Sequence, residues 1–300
     1  MDAFIVIDKP RGISSQTAVS RLRRALGVAK AGHTGTLDPL ATGVLPVALG
    51  EATKVIPYLD EDQKVYRVEG LMGIATDTYD AEGRETHRAE RVEVSREALE
   101  EAVRGFLGEQ DQMPPVYSAI KKAGKPLYSY ARQGQEVEVP TRKVRMDRLD
   151  LESFDGARFS LRVECSKGTY IRSLVHDLGL RLGCWAHVTE LRRLRSGPFS
   201  ESQALPLEGI VSEPALAKGR DLSIESCLEY LPKLSLESEL ERDRVLSGVP
   251  LARIKQALGN TQDLGKTLAL AYEGRIYALI LAQAGGDFTY GRVLNRVGGL

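Results

Sequence analysis

One loop of the sequence presents a single carboxylate among residues that bend the chain. Residues 32–47 read Gly-His-Thr-Gly-Thr-Leu-Asp-Pro-Leu-Ala-Thr-Gly-Val-Leu-Pro-Val. Glycine permits positive φ angles and close approach to a ligand, and Pro39 biases Asp38 away from helical dihedrals. A carboxylate presented in this way is a candidate nucleophile or general base. The alternative interpretation is a tight turn in which Asp38 caps backbone N–H groups.

A second group of polar residues follows a predicted strand. Residues 158–165 alternate in the manner of a strand, and Leu174, Val175 and Leu178 have the spacing of a helix. The turn at residues 166–172 therefore brings Tyr170, Arg172 and backbone N–H groups to one edge of the sheet, which suits an anion. The turn lacks the phosphate-loop pattern of nucleotide hydrolases.

Basic side chains are concentrated in the middle of the chain. Residues 115–200 carry 16 lysines and arginines against 9 aspartates and glutamates, while the whole chain has a net charge of zero. Tyrosines alternate with lysines over residues 113–128, a combination that stacks on bases and binds phosphates. A surface loop pinned by its tyrosines is the alternative. We expect the RNA contacts to come from Lys121, Lys122, Lys125, Arg142, Lys143, Arg192 and Arg193.

The elements that must position these residues alternate between strands and helices. Hydroxyl caps at Ser14 and Ser95 open two amphipathic helices, and Glu273-Gly274 predicts a two-residue hairpin near the C-terminus. The acidic stretch 201–247 contains three prolines and is interpreted as a peripheral segment or linker. Strands are predicted at residues 4–8, 64–73, 136–150, 158–165 and 188–195.

Composition excludes several classes of protein. The chain has 300 residues, 42% hydrophobic and 27% charged, as in ordinary globular proteins. No apolar run approaches the roughly 18 residues that span a bilayer, and no signal peptide is visible. Three cysteines without C-x-x-C spacing indicate neither a disulfide framework nor a zinc site. We therefore expect a cytoplasmic protein with no membrane segment and no metal.

Several long motifs resemble the bacterial tRNA pseudouridine-55 synthases, the TruB-type family. Residues 8–15 (Asp-Lys-Pro-Arg-Gly-Ile-Ser-Ser) and 32–43 resemble its opening motifs. Tyr66 with residues 76–80, then residues 165–174 and 191–194, match its later motifs in the same order. The resemblance covers roughly residues 4–200, and the C-terminal hairpin region resembles the family's small RNA-binding PUA-type domain more loosely.

The resemblance implies a fold and a reaction. It implies an α+β catalytic domain on a mixed, mainly antiparallel sheet over residues 1–230, and a small β-rich PUA-like domain over residues 231–300. It further implies isomerisation of uridine-55 in the tRNA T-loop, in which the N1–C1′ bond breaks and the base rejoins through C5. The implied partner is the T-arm of tRNA, and a monomer without cofactor or metal is expected.

The resemblance also assigns roles to individual residues. Asp38 is the nucleophile, attacking either C1′ of the ribose or C6 of the base, and Arg172 keeps it ionised through a forked hydrogen bond. Tyr66 stacks on the flipped base, and His33 fills or props the vacated position. Tyr170 contacts the ribose or serves as proton acceptor, and Leu191 forms an apolar wall. For Asp80 we favour a turn cap over a role in the site.

Three other functions are considered. A glycoside or nucleoside hydrolase would use Asp38 with a partner acid, yet no second carboxylate is assigned to the site. A non-enzymatic module that only grips or folds the T-loop would bind tRNA without converting it. The catalytic subunit of the guide-RNA-directed complexes shares these motifs, but the chain lacks that protein's usual long basic tail. A stand-alone enzyme is therefore preferred.

Overall fold

The computed structural model describes residues 1–60, 62–118, 121–122, 125–126, 130, 139–252, 254, 256, 266–283 and 287–295. Helices α1 to α6 of this part are Ser15–Ala25, Arg96–Arg104, Ile171–Arg181, Leu207–Ser212, Ile224–Cys227 and Glu239–Leu246. Short 3₁₀ turns lie at Gly50–Lys54, Ile56–Tyr58, Glu201–Gln203 and Pro214–Ala217. No helix of the described residues is long and apolar enough to cross a bilayer.

The strands of the described part fall into one large sheet and smaller ones. Strands β1 to β19 are Ala3–Lys9, Ala31–His33, Thr42–Leu49, Gln63–Met72, Ile74–Thr76, Glu85–Arg88, Gly108–Gln112, Lys121–Lys122, Lys125–Pro126, Arg142–Phe154, Arg158–Ser166, Ala186–Ser196, Phe199–Ser200, Leu205–Pro206, Leu222–Ser223, Lys233–Ser235, Thr267–Tyr272, Arg275–Ala282 and Phe288–Val293.

The large sheet is mixed and mainly antiparallel, which confirms the predicted fold class. Its main path runs β14-β1-β3-β12-β4-β11-β10-β7, with β2, β13 and β15 attached beside it. Among the strand pairs described in this large sheet, only β1–β14 and β3–β12 are parallel. Parallel pairing sets Thr42 opposite Arg192 and Gly43 opposite Arg193. The start of β3 is thereby held against β12 in the middle of the sheet.

Side-chain caps start the helices where the hydroxyls predict. Ser14 accepts a hydrogen bond from the Thr17 N–H at 3.1 Å, and Ser95 accepts one from Ala98 at 3.2 Å. Helix α2 ends at Arg104, because Gly105 follows as its C-cap. The two helices and α3 bury their apolar faces in one core with strands β1, β3, β4 and β12.

The C-terminal region forms the predicted β-rich sheet. Strands β16 to β19 follow one another in a four-stranded sheet. Glu273 and Gly274 take φ angles of 48° and 77°, as a tight hairpin between β17 and β18 requires. This sheet does not stand apart, because Ala269, Ile276 and Leu279 share a buried cluster with Phe4 and Val44 of the large sheet and with other residues.

The interpretation of residues 201–247 as a linker is wrong for its first half. Strands β14 and β15 both pair with β1. Leu207 and Ile210 of α4 are fully buried in the main core. Apolar contact with β1 and α1 therefore outweighs the local acidic composition, which describes only the solvent face of this segment.

Candidate active site

The loop that carries Asp38 is tied down on both sides of the carboxylate. The backbone N–H of Leu37 donates to Ser15 Oγ at 2.7 Å, and that hydroxyl donates to the Leu37 carbonyl at 2.9 Å. On the other side, Gly12 N–H donates to the Pro39 carbonyl at 2.8 Å. Residues from the β1–α1 region thus hold the neighbours of Asp38 in place. A fixed backbone is what a positioned nucleophile requires.

Gly43 shows why the return of this loop into β3 needs glycine. Its φ is +99°, and a Cβ atom there would lie 2.2 Å from the carbonyl oxygen of Arg193. The close approach of β3 to β12 is therefore available only without a side chain.

Arg193 holds the loop rather than a surface phosphate. The residue is 1% exposed, and its guanidinium donates to the carbonyls of Val44 at 2.8 Å, Gly35 at 3.1 Å and Thr36 at 3.4 Å. A buried arginine of this kind satisfies carbonyls that no strand pairs. The prediction that Arg193 belongs to the RNA-binding surface is corrected accordingly.

Lys9 lies beneath the same loop. Its ammonium donates to the carbonyls of Ile13 at 2.8 Å, Pro10 at 2.9 Å and Pro39 at 3.4 Å. Burial lowers the pKa of Lys9 to about 8, against the opposing attraction of Asp38 and Glu82. Lys9 therefore adds positive charge beneath the loop that carries Asp38. It is not among the residues that line the cavity in front of Asp38.

Arg172, in the first turn of α3, lies between two carboxylates. Its Nε is 2.9 Å from Asp38 Oδ2, aligned as an ion pair and not as a straight hydrogen bond. One terminal nitrogen donates to Asp80 Oδ2 at 3.3 Å and to the Thr78 carbonyl at 2.9 Å, and the other to the Tyr117 carbonyl at 3.0 Å. The fork expected on Asp38 alone is therefore divided between Asp38 and Asp80.

The environment of Asp38 opposes its ionisation in one respect and supports it in another. Burial raises the pKa of Asp38, and the neighbouring charge of Asp80 raises it further. The Arg172 guanidinium and, more weakly, Lys9 lower it. Because the pKa of Asp38 is raised overall, keeping this carboxylate ionised costs free energy, which is typical of a reactive carboxylate.

Asp80 is a member of the site that the sequence reasoning left out. It does cap its turn, since its Oδ1 accepts from the Thr78 hydroxyl at 2.6 Å and from Glu82 N–H at 3.0 Å. Its other oxygen faces Arg172, and both side chains are 5% exposed. The position of Asp80 within the family motif of residues 76–80 was the sequence signal for a role in the site. Its proximity to Arg172, however, is set by the fold.

A cavity of about 450 Å³ opens in front of Asp38. Its wall includes Tyr66 of β4, Tyr170 and Leu191, all predicted to bind the substrate. Burial raises the pKa of Tyr66 to about 12, so its ring is a neutral phenol suited to stacking. The described residues of the wall all come from this chain. Around Asp38 the structure brings together four predicted site residues, Tyr66, Tyr170, Arg172 and Leu191.

Tyr170 is fixed by its backbone. Gln112 of β7 accepts from the Tyr170 N–H at 2.8 Å and donates to its carbonyl at 3.0 Å. The guanidinium of Arg142 lies 5.5 Å from the centre of the Tyr170 ring. Arg142, predicted to contact RNA, thus stands in the cavity wall beside a predicted substrate contact.

The remaining predicted residues are placed differently. His33 lies in β2 opposite Val47 and is not part of the cavity wall. Lys143 is exposed on β10. Arg192 points to the other face of β12, where Asp8 and Glu201 hold its guanidinium and raise its pKa. Its RNA contact stays a prediction, for a side chain whose charge is already paired within the protein. The side chains of Lys121, Lys122 and Lys125 lie outside the described residues.

Comparison with known proteins agrees with this site. Residues 23–171 match the TruB family pseudouridylate synthase N-terminal domain, and residues 172–234 match the tRNA pseudouridylate synthase B C-terminal domain. The tRNA pseudouridine synthase B of Geobacter sulfurreducens is 43% identical over 289 residues, covering 95% of each chain. That of Pseudomonas aeruginosa is 53% identical over 208 residues, covering 69% of this chain and 68% of the relative.

A solved structure extends the likeness to the fold. A chain in the crystal structure of a Cbf5-Nop10-Gar1 complex is similar with a TM-score of 0.70 and 27% identity, covering 99% of this chain and 84% of that chain. Fold, site and matches define the class, which is that of enzymes converting uridine in RNA to pseudouridine. Within that class the chain belongs to the TruB family, and its activity is the pseudouridylation of tRNA.

Proposed function

We propose that the enzyme isomerises uridine-55 in the T-loop of tRNA and that Asp38 is its nucleophile. One observation carries the proposal: the Asp38–Arg172 ion pair at 2.9 Å stands at the wall of a cavity large enough for a nucleoside. The choice of uridine-55 rests on the motifs of residues 8–15 and 32–43. The acceptor uridine must leave its stack to reach the carboxylate, at a cost of a few kcal/mol.

The wall residues supply the contacts that such a nucleotide needs. Tyr66 stacks on the extruded base, an interaction worth about 1–3 kcal/mol, and Leu191 closes the apolar side. His33 fills or props the position in the RNA that the extruded nucleotide vacates. Arg142 faces the cavity from β10 and binds the flanking phosphate.

The reaction then proceeds without loss of atoms. Asp38 attacks C1′ or C6, the N1–C1′ bond breaks, and the base turns within the cavity before C5 bonds to C1′. After attack at C1′ the carboxylate leaves when C5 displaces it, and after attack at C6 it is eliminated from C6, so Asp38 is regenerated either way. The C5 hydrogen leaves as a proton and N1 gains one. Tyr170, adjacent to Arg172 and fixed through Gln112, contacts the ribose or accepts that proton.

Binding of the T-arm uses the basic surface beside the cavity and the C-terminal part of the chain. Lys143 is exposed on β10 and is proposed to contact the RNA, and the contacts of Lys121, Lys122 and Lys125 stay predictions. Residues 231–300, the proposed PUA-like domain, add RNA contacts beyond the T-loop. The proposed functional unit is a monomer.

The test measures conversion and binding separately. Wild-type protein and Asp38→Asn are incubated with unmodified tRNA and with a tRNA in which uridine-55 is replaced by cytidine. We expect pseudouridine only at position 55, only with the wild type, while Asp38→Asn binds tRNA with wild-type affinity. Conversion by Asp38→Asn, or modification of another uridine in the cytidine-55 tRNA, would contradict the proposal.

The hydrolase interpretation makes a different prediction for the same samples. It needs a second carboxylate as acid in the cavity, and Asp80 is buried against Arg172 and absent from the cavity wall. Release of free uracil would support hydrolysis. Rearranged nucleoside without free uracil supports isomerisation.

A further inference from the structure

An aromatic stack lies just outside the site, on residues to which no role has been given. The rings of Tyr79 and His176 are parallel within 9°, with centres 3.8 Å apart. Tyr79 sits between Thr78 and Asp80, two of the residues whose oxygens Arg172 contacts. The stack therefore contacts the turn from which Asp80 reaches the catalytic ion pair.

The backbone of that turn is unfavourable by itself. Tyr79 has a φ of +63°, in the left-handed region that is strained for a non-glycine residue. Backbone bonds hold it from two sides: Tyr79 N–H donates to Thr76 at 3.2 Å, and Val188 N–H donates to the Tyr79 carbonyl at 3.0 Å. The side chain requires a contact of its own to favour this conformation over relaxed alternatives.

Helix α3 provides that contact from the same face that carries Arg172. Residues four apart on a helix lie one above the other, and His176 follows Arg172 by four positions. Arg172 binds the residues before and after Tyr79, and His176 binds Tyr79 itself. Three consecutive residues of the turn are thus gripped by one helix face.

The stack works through the ring face and not through a hydrogen bond. Burial lowers the pKa of His176, with the nearby His87 adding to the effect, so the stacked imidazole is neutral. Its Nδ1 is buried without a hydrogen-bond partner among the described residues. A flat apolar ring would therefore serve in its place.

We infer that His176 is a positioning residue: by stacking on Tyr79 it fixes Asp80, and so sets how Arg172 is divided between Asp80 and the nucleophile Asp38. This inference rests on the proposed role of Asp38. A loosened turn lets Asp80 move relative to the guanidinium, which changes the orientation of Arg172 toward Asp38. The effect falls on the chemical step, because neither Tyr79 nor His176 lines the cavity.

Single-turnover isomerisation rates and tRNA dissociation constants of three variants test this inference. His176→Ala removes the stack, and we expect its rate to fall roughly tenfold, since small misplacements of reacting groups are costly, with an unchanged dissociation constant. His176→Phe keeps a ring face and should restore the rate to within about twofold. Leu182→Ala, at the C-cap of the same helix and packed on the core, is the control for lost stability alone.

The route through Asp80 is tested in a double variant. If His176 acts through Asp80, His176→Ala lowers the rate of Asp80→Asn no further, because coupled residues are not additive. Independent multiplication of the two losses would overturn the route. A wild-type rate for His176→Ala, or an equal loss in Leu182→Ala, would overturn the inference. Asp38→Asn run alongside keeps the outcomes distinct, since activity there would refute the nucleophile assignment instead.

Discussion

Replacing Asp80 with asparagine separates the charge of the second carboxylate from its shape. Asparagine retains the size of the side chain and an oxygen for the Thr78 and Glu82 contacts. It removes the ion pair with Arg172 at 3.3 Å, in a place where both side chains are 5% exposed. The guanidinium then faces one carboxylate in place of two.

The size of the effect follows from the burial of this pair. At an effective dielectric constant of about 20, unit charges at this separation attract by about 5 kcal/mol before desolvation is counted. Asparagine recovers part of this attraction, because its amide oxygen still accepts a hydrogen bond from the guanidinium. The part that is lost is about the size of a hydrogen bond to a charged group, about 1.5–3 kcal/mol. If that amount is lost from the orientation of Arg172 in the transition state, the rate falls about 10- to 100-fold.

The variant has a second signature of opposite sign. The negative charge of Asp80 contributes to the raised pKa of Asp38. Its removal lowers that pKa, so the ionised nucleophile persists to lower pH than in the wild type. We therefore expect the acid limb of the pH–rate profile to move toward lower pH while the plateau rate falls.

The assay exploits the loss of the C5 hydrogen during isomerisation. Release of tritium from C5-labelled uridine in tRNA, under single-turnover conditions from pH 5 to 9, reports the chemical step. Filter binding of the same tRNA reports affinity, which we expect to be unchanged. A plateau rate equal to that of the wild type would refute the claim that Asp80 shares control of Arg172, and an acid limb displaced to higher pH would refute the electrostatic reasoning.

Three further outcomes are expected. Burial raises the pKa of Asp38 in the folded state, so its ionisation destabilises the fold at pH values above that raised pKa, and the penalty disappears below the unfolded pKa. Asp38→Asn should therefore unfold at a higher temperature than the wild type at neutral pH, and a lower unfolding temperature contradicts this. Gly43→Ala forces a Cβ against the Arg193 carbonyl, so denaturant titration should show about 2–4 kcal/mol less stability. Lys143→Ala should reduce the salt slope of tRNA binding by about 0.7–0.9, whereas Arg192→Ala, already neutralised, should leave the slope unchanged.

Local chemistry in the sequence was enough to predict several elements. Hydroxyl caps start α1 and α2 at the predicted positions, and the left-handed pair Glu273-Gly274 turns the C-terminal hairpin. These features depend on residues only a few positions away, so a short stretch of the sequence is enough to predict them. The mainly antiparallel sheet followed from the motif resemblance.

Features that depend on distant partners could not be read in this way. Arg192 and Arg193 look alike in sequence, yet strand alternation sends one to Asp8 on one face and the other to loop carbonyls on the opposite face. Asp80 resembled an ordinary turn cap, and its second partner lies 92 residues further along the chain. In both cases the deciding contact is set by the register of β12 or the placement of α3, which no periodicity encodes.

The hydrogen bonds that Arg193 donates to the loop that carries Asp38 have a consequence for synthesis on the ribosome. Its guanidinium meets the Gly35 carbonyl 158 residues upstream, and at about 5–20 residues per second that delay lasts roughly 8 to 30 s. During this interval the nascent chain carries Asp38 without its supporting arginine. The loop that carries Asp38 is therefore fixed in place only after residue 193 has been added to the chain.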